Sequence, residues 1–294
     1  MHYGSYTALV TPMHTTGIDE DALRRLVNWQ VEQGSHGLVA VGTTGESATL
    51  TFAEHKRVVE IVVQECAGRI PVLAGAGSNN PEEAIVFAQH AEKTGADGLL
   101  CVAGYYNKPS QEGLYQHFKA VHDATALPII VYNIPPRCVV EISVATLARL
   151  AKLPRVVGVK DATGNTNRIL LERQLIDKSF YYFSGDDIAA VAYNANGGCG
   201  CISVTANIAP NLCAQLQNAC RDNNFARALE LQTLLTPLHH ALFIEPNPAG
   251  AKYAAFLLGF CQDLCRLPMV PLTDATELAI REAMVQLRLI NEIA

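Results

Sequence analysis

Three apolar runs in this 294-residue sequence end in residues that could do chemistry. Gly42-Thr43-Thr44-Gly45-Glu46 follows residues 37–41, Tyr132-Asn133 closes residues 128–133, and Lys160 closes residues 156–160. An amine at the end of an apolar strand is poorly hydrated. Desolvation disfavours its charged form, lowers its pKa from about 10.4, and leaves a neutral amine able to attack a ketone. Pairing with Asp161 or another carboxylate is an equal alternative, and strand position alone does not choose between the two. Tyr132, on the preceding strand, could pass protons to and from that amine, or could be an ordinary core tyrosine. The two threonines between glycines offer hydroxyls and close backbone N–H groups suited to a small carboxylate. A plain strand-to-helix turn would read the same way, and the turn lacks the GxxxxGK[ST] pattern of a P-loop.

Such residues can meet only if the strands that carry them lie side by side. Eight short apolar runs, at 6–10, 37–41, 71–74, 98–102, 128–132, 156–160, 181–184 and 200–204, read as strands. Helix-like stretches separate them, among them 19–33, 53–65, 81–93, 111–124 and 144–151. Several strands are apolar at nearly every position, as expected where helices cover one face and packed side chains the other. Eight such units predict an α/β fold, a (β/α)8 TIM barrel, in which reacting groups sit where strands end and loops begin. A doubly wound open sheet is the competing architecture, because strand count does not prove closure. Beyond about residue 222 the strands cease. Helical segments at 225–243, 249–258 and 274–293, broken by Pro246, Pro248 and the turn at 268–271, predict a C-terminal three-helix extension. The expected division is a catalytic barrel at 1–222 and a helical domain at 223–294.

Composition narrows the partners. Apolar residues make up 49% and charged residues 17%, below the roughly 25% charged share of an average soluble domain, which favours subunit contacts. The net charge of -6 and the lack of a Lys/Arg-rich run argue against nucleic acid. There is no basic segment followed by a signal-length apolar core, and no apolar run long enough to span a membrane, so neither export nor a membrane partner is expected. The nine cysteines show no CxxC pair or zinc spacing, which predicts free thiols in a reducing cytosol and no metal site.

Motif order carries the reading further. GTTGESATL at 42–50, YYNKPSQEGLYQHF at 105–118, YNIPPR at 132–137 and VVGVKDATGN at 156–165 resemble the pyruvate-dependent class I aldolase and lyase family, and within it most of all the dihydrodipicolinate synthase group. SGDD at 184–187, ISVTAN at 202–207, EPNP at 245–248 and RLPM at 266–269 continue the resemblance over nearly the whole chain. It implies a barrel with a helical tail, and a cytoplasmic enzyme of diaminopimelate and lysine biosynthesis that needs no cofactor. Its substrates would be pyruvate and L-aspartate 4-semialdehyde, and its product 4-hydroxy-tetrahydrodipicolinate. Lys160 would form the imine, with Tyr132, Thr43 and Tyr106 as proton relay, Tyr106 reaching across a dimer contact. Thr44 and the backbone at Ile202 would hold pyruvate, Gly185 would line the pocket, and Arg137 would hold the second substrate's carboxylate through its bidentate fork. The assembly implied is a homotetramer built as a dimer of dimers.

The resemblance also implies an L-lysine inhibitory site at Ser47, Ala48, His55, Asn79, Glu83 and Tyr105. Taken singly, His55 reads as a helix-surface residue and Glu83 as a first-turn carboxylate favouring the helix dipole. Phe52 stands where some inhibited relatives carry a second histidine. Other departures from the pattern are Gly104, Pro136, Cys138 and Val139, which bear on loop geometry. Sugar-acid aldolases and N-acetylneuraminate lyases share the fold and the lysine, but generally lack an arginine at the position of Arg137. A non-catalytic ligand sensor on the same barrel is the alternative from another class, and the complete relay argues against it.

Overall fold

The computed structural model describes residues 3–176 and 179–291. Eight parallel strands close into a barrel: Gly4–Ala8, Gly37–Ala40, Val72–Gly75, Gly98–Val102, Ile129–Asn133, Val156–Asp161, Tyr181–Ser184 and Gly200–Ser203. The first strand pairs with both the second and the eighth, which excludes the open sheet.

Alternation along each strand sorts side chains into two layers. Val39, Leu73, Leu100, Ile130, Tyr132, Phe183 and Ile202 form the interior cluster. Their neighbours Leu38, Ala40, Val72, Ala74, Leu99, Cys101, Ile129, Val131 and Val159 pack outward against the helices. Since Val159 faces out, Lys160 faces in, toward the barrel mouth.

Helix starts follow capping chemistry. Thr51 and Glu54 make a reciprocal capping box ahead of the helix Phe52–Cys66, and Asn80 caps Pro81–Thr94, whose first residue is proline and whose end is closed by left-handed Gly95. After the last strand come the helices Pro210–Arg221, Phe225–Ala241, Ala249–Leu257 and Asp274–Gln286. Leu231, Leu235, Leu238, Tyr253 and Ile280 from the last three join the same outer core as the barrel helices. Residue 222, where the boundary is expected, is the C-cap of Pro210–Arg221.

Some boundaries differ from the sequence reading. The first strand begins at Gly4 because Gly4 and Ser5 already pair with Gly200 and Cys201, while the Val10 N–H leaves the ladder and donates to Asn207 Oδ1 at 3.0 Å. The second strand stops at Ala40, since Val41 turns into the left-handed region with φ 50°. The last helix ends at Gln286, where Arg288 takes the left-handed position and the Leu289 N–H returns to the Met284 carbonyl. Residues 292 and 293 of the predicted helix lie outside the described residues. A hairpin of two short strands, Met13–His14 with Gly17–Ile18, and the short helix Pro135–Cys138 were not foreseen.

Candidate active site

Tyr132 and Lys160 are direct partners in the ladder between the fifth and sixth strands. The Lys160 Nζ stands 4.2 Å from the centre of the Tyr132 ring, and both side chains are buried. Among the described residues no carboxylate lies within ion-pairing distance of that amine. Asp161, the bland alternative partner, has the opposite strand parity and lies 3.5 Å from Arg168 instead. Burial pushes the Lys160 ammonium down to about 8, a fall that Cys201 and Asp187 partly offset and Arg137 reinforces. Burial likewise pushes the Tyr132 phenol well above its ordinary range, so it stays protonated and able to donate.

Room beside the lysine depends on a glycine. A Cβ at Gly185 would come within 3.1 Å of Lys160 Cε and 2.9 Å of Ala162 Cβ. Gly185 donates its N–H to the Asp161 carbonyl at 2.6 Å, tying the ends of the sixth and seventh strands together. Ile202, on the eighth strand, belongs to the interior cluster that also contains Tyr132.

The threonine turn is closed by hydrogen bonds from Gly45 N to the Gly42 carbonyl and from Glu46 N to the Thr43 carbonyl, both 3.0 Å. Thr43 is half-buried and Thr44 is buried. Thr44 Oγ1 accepts from Asn247 Nδ2 at 3.0 Å, and the Asn247 carbonyl accepts from the Arg137 guanidinium at 3.2 Å. Asn247, in the EPNP turn, therefore joins the two residues read as separate substrate contacts. Asp187 is a second unforeseen organiser. Its carboxylate accepts from Val204 N at 2.9 Å, Thr205 N at 3.1 Å and Ser203 Oγ, pinning the end of the eighth strand next to Ile202. Both residues stand in motifs quoted above, and the paired prolines of EPNP were the only local signal of a tight structure.

Tyr106 is not folded into this buried set. It is 87% exposed, with φ 69°.

The six residues of the expected lysine site lie on neighbouring segments. Ser47 and Ala48 begin the 3-10 turn Ser47–Thr49. Asn79 offers its carbonyl to Asn107 Nδ2 at 2.9 Å, Glu83 accepts from Ser78 Oγ at 2.8 Å, and Tyr105 is partly buried against the outer core. His55 is not a surface residue. It stacks on Phe87 with ring centres 3.8 Å apart, and burial, reinforced by the His90 charge, pushes its pKa down to about 4. Phe52 stacks on Phe87 as well, at 4.9 Å.

A closed parallel barrel with this family's motifs at its strand ends is a (β/α)8-barrel lyase. Residues 1–287 match the model of the dihydrodipicolinate synthetase family, and the chain belongs to that family. A relative from Acidiphilium cryptum, named 4-hydroxy-tetrahydrodipicolinate synthase, is 57% identical over 291 residues, covering 99% of this chain and 100% of its own. The chloride-inhibited dihydrodipicolinate synthase from Acinetobacter baumannii, solved in complex with pyruvate, superposes with a TM-score of 0.96 at 40% identity, over 99% of this chain and 100% of that one. The enzyme from Cyanidioschyzon merolae, solved with lysine bound, gives a TM-score of 0.95 at 36% identity, again over 99% and 100%.

Proposed function

We propose that this chain condenses pyruvate with L-aspartate 4-semialdehyde through an imine at Lys160, yielding 4-hydroxy-tetrahydrodipicolinate. The observation that carries the reading is the desolvated Lys160 amine, set over the Tyr132 ring without a carboxylate partner among the described residues. The neutral amine attacks the pyruvate ketone, and loss of water leaves a protonated imine whose positive nitrogen acidifies the methyl group. Removal of a methyl proton gives the enamine. Its carbon bonds to the aldehyde carbon of the second substrate, whose oxygen takes up a proton. The substrate's own amine then attacks the imine carbon and displaces Lys160, closing the ring. The imine nitrogen is itself the electron sink, so the chemistry calls for no metal or organic cofactor.

The family resemblance supports the remaining roles. Tyr132 and Thr43 relay protons beside Lys160, and Tyr106 completes the relay from a neighbouring subunit, a role to which its exposure on its own chain is suited. Thr44 and the Ile202 backbone hold the keto acid's carboxylate, Gly185 keeps the pocket open, and Arg137 holds the second carboxylate. The assembly proposed is a tetramer built as a dimer of dimers. L-Lysine would inhibit at Ser47, Ala48, His55, Asn79, Glu83 and Tyr105. Nine unpaired cysteines fit work in a reducing cytoplasm. We read the barrel, through residue 222, as the catalytic unit and the remaining helices as its support.

An acceptor panel tests the reading. Pyruvate offered with aspartate semialdehyde, N-acetylmannosamine or glyceraldehyde should be consumed chiefly with the first. Preference for either sugar-type acceptor would move the chain to another branch of the fold.

A further inference from the structure

The threonine turn is gripped from the C-terminal helices by a charge pair that the proposed chemistry does not use. Val41 and Glu46, at its two ends, both have left-handed backbones, with φ 50° and 57°. A β-branched residue is poorly suited to that region, and such conformations persist only where the surroundings over-determine them. Gly75 allows the close approach on one side, since a Cβ there would sit 2.3 Å from the Val41 carbonyl oxygen. Thr11 Oγ1 donates to the Gly45 carbonyl at 2.7 Å. On the other side Lys252, from the helix Ala249–Leu257, brings its ammonium to 2.6 Å from Glu46 Oε1. The Arg266 N–H donates to Glu46 Oε2 at 3.0 Å. Lys252 is fully buried and Glu46 nearly so. The ammonium also donates to the Leu264 carbonyl, while Glu46 Oε1 has no aligned hydrogen bond, so the 2.6 Å contact acts as an ion pair.

A buried ion pair is a poor source of net stability, because both charges give up hydration that apolar side chains of similar volume would not lose. Its better-attested use is to select one geometry. Here the geometry is that of the turn. Glu46 lies two residues beyond Thr44, and Lys252 lies just beyond Asn247, which holds Thr44 Oγ1 directly. The segment running from Asn247 into the helix Ala249–Leu257 thus fixes the turn at two points.

We propose that the Glu46–Lys252 pair is a positioning element that sets Thr43 and Thr44 for the keto acid, which makes the C-terminal helices part of pyruvate recognition. Neither residue touches substrate; both act through the threonines. The inference rests on the pyruvate-site role proposed above for that turn.

The test compares full-length wild type with Glu46→Gln/Lys252→Met, which removes both charges at similar volume and strands neither. Steady-state kinetics and borohydride trapping at graded pyruvate concentrations are the readouts. A misplacement of about 1 Å at a reacting group can cost on the order of a hundredfold, so half-saturating pyruvate should rise by roughly tenfold or more in both assays. The KM for aspartate semialdehyde should stay within about twofold. A role in stability alone would lower the melting temperature without that split. A pyruvate KM unchanged in a cooperatively folded double variant overturns the proposal. If the double variant does not fold, Glu46→Asp keeps both charges and shortens their reach: a selective rise in pyruvate KM supports the proposal, and an unchanged value overturns it. Failure of wild type to form a Lys160 adduct would count against the Schiff-base reading itself, so the two failures are told apart.

Discussion

Lys160 and Tyr132 occupy paired positions on adjacent strands, with the amine 4.2 Å from the ring centre and Arg137, on the short helix that follows Tyr132, favouring loss of a proton from both. The pair has a pH signature. The Lys160 amine titrates near 8, below its unfolded value, so the neutral, attacking form grows as pH rises toward and through 8. The rate at limiting pyruvate, which reports the free enzyme, should climb by about tenfold per pH unit below that point and level off above it. A profile flat from pH 6 to 9 would contradict the depressed value.

Tyr106 offers a test of the shared site. Tyr106→Phe should lower turnover by about a hundredfold or more with the fold intact. Hybrids of Tyr106→Phe and Lys160→Ala subunits should regain activity at sites that combine an intact tyrosine with an intact lysine. Verified hybrids with no recovery would show that each subunit works alone.

For Arg137, loss of the guanidinium should raise the KM for aspartate semialdehyde far more than that for pyruvate, by roughly tenfold or more, because a charge-assisted carboxylate contact is removed. The guanidinium also donates to the Asn247 carbonyl, and Asn247 reaches Thr44. Equal effects on both substrates would therefore assign Arg137 to holding the turn rather than to binding.

Inhibition by L-lysine is expected to be partial, since Phe52 stacks on Phe87 where a second histidine stands in some inhibited relatives. His55, kept neutral by burial, can accept a hydrogen bond from an ammonium but adds no charge. Activity titrated with L-lysine and D-lysine should fall with the L isomer only, and Glu83→Thr should abolish the effect. No response at millimolar L-lysine would leave these residues with structural roles.

The fold was legible because apolar runs alternating with helix-like stretches, and the residues at strand ends, are local signals. Lys160 and Tyr132 could be placed at the mouth from the apolar runs that precede them. The contacts that organise the site were not legible, because they join distant segments. Asn247 meets Thr44, and Lys252 meets Glu46, across some 200 residues of sequence. His55 misled for a related reason: nothing in its own helix announces Phe87, which lies on the next one and covers it.

Every step of the proposed reaction depends on an imine at Lys160. Borohydride added with pyruvate should reduce that imine to a stable secondary amine, and peptide mass spectrometry should find the added mass on the peptide bearing Lys160, with none formed when pyruvate is omitted. An adduct on another lysine, or none in a well-folded sample, would contradict the account.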